Sequence, residues 1–364
     1  MDSSEQFIDL FRRRAGPGGA MTFAAFMQLA LYDPQLGYYC QPRRRIGQAS
    51  GTDFFTASHT PLFGKLVAAA CASLLISQGA DPLNFTFVEI GAESVDSAQG
   101  GPNLGVLGSG SHPFGAAKTI RLGDALELDG RCVVFSNELF DAQPFRRFVF
   151  RREAWRERGV ALREDALVEV EMPGFDSSTW PALPVLRSFS EGGSAVDGLA
   201  GAGGPAPRGV EGLPPIAPEG YCIDAPLKAA ALAAQITAQP WSGLFLAFDY
   251  GKSWRELAED TPAGTARAYF HHTQSNDLLA RPGEQDLTCH VCWDWLAAAL
   301  AGHGWATPRI ESQESFFVHH AANFLAEAMT AEAGRFSEKK LGLLQLLHPS
   351  HLGQKFQALW AWKD

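Results

Sequence analysis

The run Phe85-Thr-Phe-Val-Glu-Ile90, followed at once by Gly91, decides how this chain is read. It is short, apolar and aromatic, and it stops at a residue suited to a turn, which is the pattern of a buried strand. Cys132-Val-Val-Phe-Ser136 repeats it, running into Asn137-Glu138-Leu139-Phe140-Asp141. Leu244-Phe-Leu-Ala-Phe248 repeats it again, running into Asp249-Tyr250-Gly251. None of the three alternates, as expected of strands covered on both faces of a parallel sheet. In open α/β sheets, ligands bind outside the carboxyl ends of the strands. The polar ends at Glu138, Asp141 and Asp249 are therefore the first candidate functional positions.

Helical segments fit around these strands. Residues 22–31 carry apolar side chains at helical spacing, with Thr22 as N-cap and Tyr32-Asp33-Pro34 as the stop. Pro61 opens a helix over 61–78, and further helices are expected over 226–239, with Asp224 near the start, and over 292–301. Lys118–Leu122 reads as another strand, and Ile310–Val318 as material for closing strands. Residues 146–170 alternate in part and read as an antiparallel excursion. Residues 191–220 hold nine glycines and five prolines, a surface-loop composition.

The 364 residues suffice for one large domain or two. A net charge of -10 argues against nucleic acid or an anionic membrane as partner. No apolar run approaches the ~20 residues of a membrane span, and the acidic start does not resemble a secretory signal. Six scattered cysteines suit reduced thiols, so a cytoplasmic location is expected. Cys289-His-Val-Cys292 lacks the two further ligands a structural zinc would need, so no metal is expected. P-loop, nucleophile-elbow and zincin motifs are absent.

Several blocks, in order, resemble one family. They are Thr22-Phe23 through Ala30-Leu31-Tyr32-Asp33-Pro34, Leu36-Gly37-Tyr38-Tyr39, Gly51-Thr52-Asp53-Phe54-Phe55-Thr56 and Pro61-Leu62-Phe63-Gly64. Val88-Glu89-Ile90-Gly91-Ala92, Ser136 to Ala142, Asp249-Tyr250-Gly251, Gly264-Thr265, Pro282 to Thr288 and His290-Val291 continue the series. From about residue 20 to about 320 the chain resembles the MidA-like S-adenosylmethionine-dependent methyltransferases, which include a mitochondrial complex I assembly enzyme acting on a protein arginine.

The resemblance implies a class I methyltransferase fold, an α/β Rossmann-like doubly wound sheet of seven strands, with N-terminal helices and an inserted α+β subdomain. It divides the chain into an N-terminal helical, cofactor-covering segment (1–80), a core (81–145 and 221–320), the insertion (146–220) and a helical tail (321–364). It implies S-adenosylmethionine as cofactor, held by Glu89, Gly91, Asp53, Phe54, Asn137 and Glu138. From their place at the strand ends, Glu138, Asp141 and Asp249 are the candidate catalytic carboxylates, with Tyr250, His271 and His290 as candidates at a protein substrate.

Methyl transfer from a sulfonium needs alignment above all, and a guanidinium acceptor needs carboxylates to orient it. Blander readings stand beside these. Asp141 could cap a following helix, Asp249 could form a turn, and Phe54 or Phe55 could simply be buried. His271, His272 and His290 could be structural.

Two departures from the family pattern matter. After Gly91 the chain reads Ala92-Glu93-Ser94, without the second and third glycines of the family's turn, and Glu93 brings a negative charge. The 92–131 segment is too short for two β-α units, at ~30 or more residues for a βαβ unit. The sheet is therefore expected to be trimmed by one such unit. The acid expected after the family's second strand has only Asp124 as a counterpart. The alternative function is a degenerate relative acting as a binding or assembly factor.

Overall fold

The computed structural model describes residues 3–41, 61–91, 105–108, 110–173, 213, 217–331 and 337–364. These fall into two units: Met1–Phe54 with Phe140–Leu232 and Gly251–Ala298, and Phe55–Leu139 with Ala233–Tyr250 and Ala299–Asp364.

In the second unit the continuous apolar runs become neighbouring strands. Thr86–Ile90 pairs in parallel with Ala116–Ile120 on one side and with Gly130–Asn137 on the other. Gly130–Asn137 pairs in parallel with Trp241–Asp249. Gln357–Lys363 lies antiparallel against Trp241–Asp249, and Arg309–Ser312 closes the edge. The sheet has six strands among the described residues, one fewer than the resemblance implies. After the Thr86 strand the chain builds outward on one side, then crosses to the other. The topological switch thus lies between the Thr86 and Gly130 strands.

The Pro61–Ser77 helix covers this sheet with Phe63, Leu66, Val67 and Leu74. Phe63 meets the rings of Phe135, Phe248 and Phe317 at 5.7–6.4 Å between centroids. Each such buried ring contributes roughly 1.5–3 kcal/mol of transfer free energy. Two expectations are corrected here. Of Ile310–Val318, only the first residues are strand, and Gln313–His320 is a helix capped by Ser312. The tail is not helical throughout, because Gln357–Lys363 is an inner strand with Ala358 to Ala361 buried.

The other unit is built on an antiparallel sheet. Arg146–Arg151, Ala154–Arg163 and Ala166–Glu171 form the excursion expected from the sequence, with Ala20–Thr22 and Cys222–Ala225 beside them. The Phe23–Tyr32 helix begins where Thr22 Oγ1 accepts the Ala25 N–H and ends at Asp33. With Ser3–Ala15 it supplies Phe7, Phe11, Phe23 and Phe26 to a core shared with Phe145. Asp224 does not cap the Leu227–Thr237 helix; its side chain turns elsewhere, as described below. A three-stranded sheet (Thr273–Ser275, Arg267–Phe270, Asp286–Thr288), the short Trp254–Glu259 helix and most of the Trp293–Ala301 helix also belong to this unit. No helix among the described residues is long and apolar enough to cross a membrane.

Candidate functional site

Three adjoining strands of the parallel sheet bring their carboxyl ends together, and most of the residues singled out in the sequence lie there. Glu89 is buried, and its Oε2 accepts the Val106 N–H at 2.5 Å. Burial pushes its carboxyl up to about 7, against the opposing pull of that N–H. Gly91 follows with φ +80, a left-handed conformation that side chains resist, and an added Cβ would lie 2.6 Å from the Leu139 side chain.

On the neighbouring strand, Asn137 Nδ2 donates to Glu138 Oε1 at 2.9 Å. Asn137 Oδ1 is buried and has no hydrogen-bond partner among the described residues. Glu138 is also left-handed, with φ +51, and its N–H donates to Phe248 O at 2.9 Å. That bond ties it to the third strand, which ends at the fully buried Asp249. Asp249 Oδ1 accepts the Tyr250 N–H at 2.9 Å. The Tyr250 ring stands edge-on to Phe356.

Glu89, Gly91, Asn137, Glu138, Asp249 and Tyr250 are thus gathered on three adjoining strand ends. Asp53, Phe54, Phe55 and Glu93 lie outside the described residues.

Asp141, His271 and His290 belong to the other unit. The capping role considered for Asp141 does not hold, because turns, not a helix, lead from Glu138 to the Arg146 strand. Asp141 is buried, and its carbonyl accepts the Cys289 N–H at 3.0 Å. His271 and His272 form a two-residue hairpin loop, with φ +47 and +61, and are exposed. His290 donates its backbone N–H to Thr265 Oγ1 at 3.2 Å. Burial, then Lys252 and Arg267, lower its ring to about 4, so it is neutral at pH 7.

Sequence reading gave no role to a polar group near Asp141. Tyr39 Oη donates to Asp286 Oδ1 at 2.9 Å, Tyr32 Oη donates to Ala142 O at 2.9 Å, and the two rings stack at 5.5 Å. Both tyrosines and Asp286 sit inside the family blocks, which was the available signal. Nor did it foresee that Asp224, a buried strand residue, would accept from Arg147 Nη1 at 2.6 Å and from the N–H groups of Thr265 and Ala266 at 2.7 and 2.8 Å.

Residues 117–310, just over half of the chain, match the family model described as "Putative S-adenosyl-L-methionine-dependent methyltransferase". The chain belongs to that family. No curated protein matches it in sequence. Two solved structures share the fold, both of COG1565 superfamily proteins from Burkholderia thailandensis. One, crystallised with S-adenosyl-homocysteine, is 23% identical with a TM-score of 0.78, covering 99% of this chain and 92% of the other. The second, an uncharacterized protein in native form, is 22% identical with a TM-score of 0.74 over the same shares.

The family's cofactor is S-adenosylmethionine, and the residues at the strand ends fit it. The switch point is where such folds receive nucleosides. Gly91 leaves backbone accessible there, and Asn137 Oδ1 is a buried acceptor left to be satisfied.

Proposed function

We propose that this family member transfers the methyl group of S-adenosylmethionine to a protein side chain. Arginine is the first candidate, from the chain's likeness to the MidA-like group. The observation that carries the reading is the pair of left-handed residues, Gly91 and Glu138, directly after the two strands that flank the switch point. Non-glycine residues in that conformation cluster at functional sites. The Burkholderia relative crystallised with S-adenosyl-homocysteine supports the same assignment.

Gly91 and Glu89 would hold the cofactor from the first strand end, and Asn137 Oδ1 would accept one of its donors. When bound, the cofactor supplies an electrophilic methyl group on a sulfonium. The Glu138 carboxylate, fixed by Asn137 Nδ2, is placed to orient a nitrogen nucleophile and take up its proton. Asp249 shapes the third strand end through its bond to Tyr250 N–H. We read the six-stranded sheet as a class I sheet trimmed by one β-α unit, since between Gly91 and Gly130 the described residues hold the single strand Ala116–Ile120 and one short 3-10 turn at Gly105–Leu107.

Calorimetric titration of the purified protein with S-adenosylmethionine and S-adenosylhomocysteine tests this. Both should bind, and Asn137→Ala and Glu138→Ala should weaken them. Silence at millimolar ligand would favour the binding-factor alternative and overturn the enzyme reading.

A further inference from the structure

We propose that the short Gly105–Leu107 turn forms one wall of the cofactor site, with Glu89 and Gly64 as the residues that position it; the assignment rests on the methyl-transfer reading. The turn belongs to the crossover from the Thr86–Ile90 strand to the Ala116–Ile120 strand. Parallel neighbours need such a crossover, usually a helix. In open α/β sheets, ligands bind where these connections leave the carboxyl ends of the strands.

Three elements converge on the turn, which closes with the Gly108 N–H donating to Gly105 O at 3.1 Å. From the first strand, Glu89 Oε2 accepts the Val106 N–H at 2.5 Å. A Cβ on Gly105 would fall 2.0 Å from that same oxygen and 3.2 Å from Thr119 Oγ1. Thr119 is the residue paired with Glu89 on the neighbouring strand, so the turn lies over the carboxyl ends of both. From the Pro61–Ser77 helix, Gly64 receives the Val106 carbonyl, and a Cβ there would fall 1.9 Å from Val106 O. Val106 and Leu107 pack on the same core as Phe63 and Leu66 while part of each stays open.

Each of these features is unfavourable by itself, and the turn explains all three. Glycine is a poor helix former, yet Gly64 sits inside a helix, and the nearest atoms an alanine would meet all belong to Val106. Gly105 holds φ +62, the left-handed region that side chains resist. Glu89 is 7% exposed, and a buried carboxyl is costly unless it is hydrogen-bonded. A turn that merely covered apolar surface would need no acid beneath it. Glu89 thus commits an oxygen to the chain and acts on the cofactor through the turn, two residues before the Gly91 backbone on the same strand end.

The test is calorimetric titration of the full-length protein with S-adenosylhomocysteine, below the onset of melting. Gly64→Ala leaves Glu89 and all three strand ends untouched and displaces Val106. It should weaken S-adenosylhomocysteine by about tenfold, the scale of one hydrogen bond to a charged group. The Val106 amide should lose its hydrogen-exchange protection in the same variant. Gly105→Ala, which pushes on Glu89 from the turn, should act alike and serves if Gly64→Ala folds poorly. Glu89→Ala should also weaken binding by about tenfold. Glu89→Gln restores an acceptor for the Val106 N–H and should recover most of that loss, which an amide replacing a direct ionic contact would not do.

Affinity unchanged or raised in both glycine variants overturns the wall, and Glu89→Gln as weak as Glu89→Ala overturns the positioning role. The methyl-transfer reading fails differently. S-adenosylhomocysteine that does not bind the unaltered protein overturns that reading and the wall with it. Binding that the glycine variants leave intact removes the wall alone.

Discussion

The strand ends at Gly91 and Glu138 and the corner at Asp224 are built on opposite principles. At Asp224 every polar demand is met. One fully buried carboxylate takes the Arg147 guanidinium and two backbone N–H groups, and Gly264 turns at φ +69 where a Cβ would fall 2.3 Å from Asp224 Oδ2. At the strand ends the chain holds a non-glycine residue in a strained conformation, leaves Asn137 Oδ1 without a partner among the described residues, and buries Glu89 with its carboxyl raised to about 7. A saturated corner supports structure. A strained end with an unspent acceptor is what a ligand site requires before its ligand arrives.

The largest effect should come from breaking the saturated corner. Asp224→Ala leaves Arg147 buried without its closest carboxylate and strands the Thr265 and Ala266 N–H groups. Losing one partner of a buried pair costs about 3–5 kcal/mol. Urea unfolding should show a loss of that size. A loss under about 1 kcal/mol, the value of a surface pair, would mean the corner is no more than that.

The contrast also explains what the sequence could and could not reveal. The Thr86, Gly130 and Trp241 strands were legible because burial on both faces makes them continuous apolar runs, and their polar ends followed directly. The Gln357–Lys363 strand was not legible. It has no β-branched residue, and its partners are more than a hundred residues away in Trp241–Asp249 and nearly fifty away in Arg309–Ser312. Tyr39 and Asp286 are 247 residues apart, so no spacing rule joins them. A cap stood as the alternative role of Asp141 because a helix was expected after its strand, and turns stand there instead. His271-His272 takes a hairpin loop usually given to Asn-Gly, so the pair looked like chemistry rather than a turn.

The second effect sharpens the strained side of the comparison and depends on pH. Glu89 is buried and titrates near 7, above its ordinary 4.5. Between those values the folded protein holds a proton that the unfolded chain has lost. Stability from this group is therefore full below pH 4.5 and falls as pH rises through 7. The fall should amount to about 3 kcal/mol, at 1.36 kcal/mol per unit. Glu89→Gln keeps an acceptor for the Val106 N–H and carries no charge. Its melting temperature at pH 8 should exceed that of the unaltered protein, and the difference should vanish at pH 4. Parallel pH profiles would show that Glu89 does not titrate in this range.

The smallest effects test the two left-handed residues directly, and they should have opposite signs. Gly91→Ala forces a side chain into φ +80 and against Leu139, at a cost of about 1–3 kcal/mol. Glu138→Gly removes a left-handed strain of about 1–2 kcal/mol and adds back the chain entropy of glycine, leaving stability level or raised by up to about 1 kcal/mol. If the strand ends exist for a ligand, both variants should lose S-adenosylhomocysteine affinity in calorimetry although one is destabilised and the other is not. A Glu138→Gly protein that loses more than about 1 kcal/mol would place the Glu138 carboxylate among the groups that hold the fold, as Asp224 does, rather than among those held in strain for a ligand.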